Sequence, residues 1–86
     1  MDQRIMTQAI QTKWLGLTNT RGARVRAWCN ARSLTVGWDH SLNIEGNHQA
    51  AAMAVAKLLG WDGEWFGGAL PKEQGYAFVQ PNLMEG

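Results

Sequence analysis

The sequence predicts an α+β domain, a curved antiparallel sheet of about five strands in the order βββαββ, packed on one helix. Three features carry this reading. An alanine-rich stretch with apolar residues at helical spacing runs from His48 to Leu59, three segments before it alternate in character every second residue, and two short aromatic segments follow it. A chain of 86 residues holds one core and buries roughly 60–70% of its unfolded surface. Residues 1–86 therefore read as a single domain, with 1–8 and 81–86 as peripheral tails.

In chain order, Ala9–Leu15 sets Ile10, Thr12 and Trp14 on one side and Gln11, Lys13 and Leu15 on the other, as a two-faced strand does. Gly16 to Gly22 is a loop, with Asn and Thr competing for backbone hydrogen bonds. Ala23–Asn30 puts Val25, Ala27 and Cys29 on one face and Arg24, Arg26 and Trp28 on the other. Turn chemistry over Asn30–Ser33 and alternation of Leu34, Val36 and Trp38 predict a hairpin to a third strand. In the helix, His48, Ala51, Ala52, Val55, Leu58 and Leu59 share one face, with Asn47 and Asn43 as competing N-caps. Gly60 has the place of a left-handed C-terminal residue, and Trp61 follows it to pack against Ala56. Trp65–Leu70, a reversal over Pro71–Gly75 and Tyr76–Gln80 complete the sheet, and Gly67-Gly68 suggests a bulge or a close backbone approach.

Composition narrows the function classes. Cys29 is the only cysteine, which excludes an intramolecular disulfide and a thiolate metal cluster. Met1–Ile5 has no apolar signal segment and no stretch is long enough to span a bilayer, so a cytoplasmic protein without membrane contact is expected. The net charge of +1 excludes a strongly acidic nucleic-acid mimic and a polycation. Charge is segregated, however: Arg4, Lys13, Arg21, Arg24, Arg26 and Arg32 outnumber Asp2 and Asp39 before Asn43, whereas acids prevail afterwards.

Asp39-His40-Ser41 holds the side-chain types of a hydrolase triad, but loop neighbours diverge and no nucleophile-elbow pattern is present. Turn formation is the better role, and no enzyme activity is expected. His40, His48, Asp39, Glu45 and Cys29 show no ligand spacing that fixes two donors on one element, so neither a metal nor another cofactor is expected. His48 reads as a buried neutral imidazole. Thr18–Gly22 lacks the phosphate-loop pattern and precedes a strand, which makes it a turn whose Asn19 and Arg21 suit a partner contact.

The candidate site is the face of strand two, Arg24, Arg26 and Trp28, with Arg21 and Arg32 at its ends. Arg and Trp are both interface hot-spot residues, and both also bind nucleic acid by phosphate pairing and stacking. The competing reading is a solvated face with arginine stems covering Trp28. Of the five tryptophans, Trp14 and Trp38 are expected in the core and Trp61 at the cap, leaving Trp28 and Trp65 as exposed anchors. Met53, on the outward side of the helix, is a secondary contact candidate.

Thr12–Ala27 (TKWLGLTNTRGARVRA), Trp38–Asn43 (WDHSLN), Asn47–Trp61 (NHQAAAMAVAKLLGW) and Gly75–Val79 (GYAFV) together resemble a group of small uncharacterised proteins carried by phages, plasmids and integrated elements of proteobacteria. The resemblance implies a mobile-element origin and a bacterial cytoplasm. Several very small proteins of such elements, anti-CRISPR proteins among them, inhibit host defence. The expectation is a non-enzymatic protein-binding inhibitor of a bacterial protein or ribonucleoprotein complex, CRISPR–Cas being one example. The alternative is a nucleic-acid-binding accessory protein using the same face. The open sheet edges allow a monomer or a homodimer.

Overall fold

The computed structural model describes residues 9–20 and 22–80, with Glu73 described by its backbone alone. The tails at 1–8 and 81–86, and Arg21, lie outside the described residues. The elements are β1 (Ile10–Leu15), β2 (Arg24–Trp28), β3 (Ser33–Gly37), α1 (Ile44–Leu59), β4 (Phe66–Ala69), a 3₁₀ turn (Pro71–Glu73) and β5 (Tyr76–Val79). They form one α+β domain with a five-stranded antiparallel sheet in the order β3-β2-β1-β5-β4.

The β2–β3 hairpin closes where the Cys29 N–H donates to the Arg32 carbonyl at 2.8 Å. From α1 the chain passes to the far edge, where β4 turns back into β5 beside the central β1. The register of β4 on β5 is regular from Phe66↔Val79 to Ala69↔Tyr76, so the predicted bulge is absent. Gly67 instead makes room for the Phe78 ring, which would overlap a Cβ at residue 67.

Alternation along the strands sends Ile10, Thr12, Val25, Ala27 and Phe78 into a buried core with Ala51, Ala52, Val55 and Ala56 of the helix. Three alanines on that helix face let the backbone lie close to the sheet. The inward stripe is rolled relative to the predicted one. Ala56 and Asn47 are buried, Leu59 is half-buried, and Leu58 on the opposite flank is 51% exposed. Met53, expected to face outward, is half-buried and packs against the core.

The N-cap is Asn43, four residues before the other candidate; its Oδ1 accepts from the Gly46 N–H at 2.7 Å. A Cβ at residue 46 would stand 2.9 Å from that oxygen, so glycine makes space for the cap. Asn47 has a different role. Its Oδ1 accepts from the Asp39 N–H at 2.7 Å, and its Nδ2 donates to the carbonyls of Asp39, Leu42 and Asn43 at 3.0, 3.2 and 3.0 Å. This side chain fastens the loop after β3 to the first helical turns. Gly60 ends α1 in the left-handed region (φ 72°), with its N–H on Lys57 and that of Trp61 on Ala56, which is the predicted Schellman ending.

Two glycine substitutions separate backbone strain from collision. Gly60 has open space around a Cβ, so Gly60→Ala should cost only the left-handed penalty, about 1 kcal/mol. Gly75 combines φ 114° with the Thr12 carbonyl lying where a Cβ would go. Gly75→Ala should therefore cost at least about 3 kcal/mol or prevent folding. Urea denaturation of both variants checks the ranking.

Candidate functional site

Among the described residues one helix covers one side of the sheet and no element covers the other. Cross-strand pairing of Gln11↔Trp28, Lys13↔Arg26 and Leu15↔Arg24 places these six residues together on that helix-distal face. The Arg26 guanidinium lies 4.9 Å from the centre of the Trp28 ring. Trp28, the predicted exposed anchor, is half-buried, with that guanidinium over its ring. The predicted Arg24, Arg26 and Trp28 do share one face. Lys13 joins them through the register, which the sequence alone did not reveal.

Opposed like charges on neighbouring strands repel. None of the five strands contains an Asp or Glu to offset Lys13 and Arg26. Beyond them the same face turns apolar: Phe66 and Val79 are partners at the β4 edge, 59% and 40% exposed. Arg32 sits exposed in the hairpin beyond Trp28, whereas Asn19 is exposed in the loop at the other end of the strand. Trp65 is elsewhere, on the helix side, half-buried and stacked on Trp61 at 6.1 Å between ring centres. Met53 is on the helix, so neither it nor Trp65 belongs to the basic face.

The helix side holds a second feature. A cleft of about 920 Å³ opens beside the first turn of α1, bordered by Trp14, Trp38, His40, Ile44, His48 and Tyr76 among others. Trp14, expected in the core, is 54% exposed here. It lies on the helix-facing side of β1, but about 7 Å beyond Thr12 along the strand, past the cover of the helix. Thr12 itself is fully buried and its Oγ1 lies 2.7 Å from His48 Nδ1. Tyr76 tilts over the His48 ring at 4.5 Å and Trp38 meets it edge-on at 6.3 Å. Burial lowers the His48 pKa below the ordinary histidine value, favouring the neutral ring.

Asp39-His40-Ser41 forms a turn. Both the N–H and the hydroxyl of Ser41 donate to Asp39 Oδ1, at 2.9 and 2.7 Å, and these bonds lower the Asp39 pKa. The serine hydroxyl is thus directed to the carboxylate. Among the described residues no group of three or more His, Cys, Asp or Glu is placed to hold a metal ion. No helix among them is long and apolar enough to cross a membrane.

The histidine has a pH signature with a definite sign. Between its depressed folded value and the ordinary value of about 6.5, the unfolded chain binds a proton that the folded chain does not. Stability should therefore fall as pH is lowered through that window, and be unaffected by His48 above it. Asp39 adds a separate loss in stronger acid, as pH falls through its own lowered value. An NMR titration should give a His48 midpoint below the ordinary value, and His48→Gln should flatten the pH dependence of urea midpoints near pH 6.

Compared with known proteins, the chain matches no protein-family model, no curated protein and no solved structure.

Proposed function

We propose that this protein is a non-enzymatic binding module that docks through the helix-distal face of its sheet onto an acidic surface of a bacterial protein or ribonucleoprotein complex, and inhibits that complex by covering a working surface. The observation that supports this most is the unbalanced charge of the face. Lys13 stands opposite Arg26 with Arg24 alongside, and no strand carries an acid. A pairing that weakens the fold is relieved when a partner supplies negative charge. Around it, half-buried Trp28 and exposed Phe66 and Val79 offer the apolar area that a protein interface uses. The resemblance to mobile-element proteins supplies the setting, a bacterial host whose defence complexes such elements meet.

A protein partner is favoured over nucleic acid because Arg26 already lies over the Trp28 ring, the surface on which a base would stack. The inhibitory role is tested by whether the captured complex loses activity when the protein is added.

Replacing Arg24, Arg26 and Trp28 together by alanine should weaken partner capture at least about a hundredfold, since hot-spot truncations cost about 2 kcal/mol or more each. Affinity purification from a bacterial host with quantitative mass spectrometry reads this, and undiminished capture by the variant would sink the assignment. A sharper test uses opposite signs. Lys13→Glu creates an attractive pair with Arg26 and should stabilise the fold by roughly 0.2–1 kcal/mol while weakening capture. Capture of a nucleic-acid partner by this face would show instead as oligonucleotide binding that declines steeply with salt and is lost in the Arg24, Arg26 and Trp28 variant.

A further inference from the structure

The cleft beside the helix N-terminus is separate from the docking face, lying on the other side of the sheet, and its polar group is unused. His48 is only 3% exposed, and its Nδ1 is engaged by Thr12. Its Nε2 has no hydrogen-bond partner among the described residues. Yet no buried side-chain nitrogen or oxygen among them lacks a partner, so Nε2 borders open space. The open space that His48 borders is the cleft.

We propose that this cleft binds a nucleobase, which stacks on the exposed ring of Trp14 and turns its polar edge to Nε2 of His48. The volume of about 920 Å³ lies within the range of small-molecule sites. Trp14, Trp38 and Tyr76 offer flat apolar walls, suited to a planar ring. Among the described residues no Asp or Glu borders the cleft, so a cationic ligand would find no counter-charge there. An aliphatic ligand would leave Nε2 dry and unpaired. A base edge, by contrast, presents donors and acceptors side by side. It therefore matches a neutral imidazole whether Thr12 donates to Nδ1 or accepts from it.

Free nucleotides and single strands both carry this chemistry, and the test distinguishes them. The full chain is titrated with adenosine and uridine monophosphates and with short single-stranded oligonucleotides of the same bases, following the Trp14 indole and His48 ring signals by NMR. Saturable shifts of both signals are expected. Trp14→Ala, at an exposed position that should leave the fold intact, is expected to weaken binding about tenfold or more. Gly16→Ala, whose Cβ would press on the Trp14 ring at 3.2 Å, should alter affinity while keeping the ring. The Arg24, Arg26 and Trp28 alanine variant should bind the monophosphates unchanged, which separates this site from the docking face. Oligonucleotides binding about tenfold more tightly than monophosphates identify a strand as the ligand, and equal affinities identify the free nucleotide. Absence of a saturable His48 shift, or an affinity unchanged by Trp14→Ala, would overturn the proposal.

Discussion

The hydrogen bond between Thr12 and His48 joins the middle of the central strand to the helix, with both residues withdrawn from water. A polar pair in such a place is costly to break, because each partner is left dry and unmatched. It thereby fixes how the helix lies along β1 and where its cover of the sheet stops. Asn47, the preceding residue, points to the loop and binds Asp39, Leu42 and Asn43. Two consecutive polar side chains thus orient the start of the helix, one against the sheet and one against its own incoming loop. Tyr76 and Trp38 around His48, and the exposure of Trp14 beyond it, follow from that placement.

The two faces of the sheet have different chemistry because, among the described residues, a single helix covers only one. On the covered side small alanines permit close approach, and the polar requirement is met at one point. On the open side no strand carries an acid to neutralise the cations, and the aromatic surface is shared between Trp28 beneath Arg26 and Phe66 at the edge. Charge at this density is tolerated because the strands are held from behind by the core, so a repulsive contact on one face is offset on the other.

Much of the architecture was legible because local rules and global packing agree in it. Alternation in β2 separated Val25 and Ala27 from Arg24, Arg26 and Trp28, and the Gly60-Trp61 pair announced the helix end. What alternation cannot give is the extent of cover: it put Trp14 on the helix-facing side of β1, but not beyond the reach of the helix. Nor does a single strand show its register, so the opposition of Lys13 and Arg26 stayed hidden until β1 and β2 were paired. Asn43 and Asn47 are both good caps by residue type, and the choice turned on which one the loop needed. Gly67 of β4 is explained by Phe78 across the strand, a neighbour that local sequence does not name.

The pairing of Ile10 with Phe78 has a mechanical consequence. The outer ends of β1 and β5 lie side by side at the same end of the sheet, so tension applied between residues 9 and 80 pulls the two strands apart sideways. Their hydrogen bonds would then open in succession instead of bearing the load together, and the sheet would divide into a β3-β2-β1 part and a β5-β4 part. A molecule built this way yields readily to a machine that draws on both ends, while the contacts across β1 and β2, away from that seam, are the last to be disturbed.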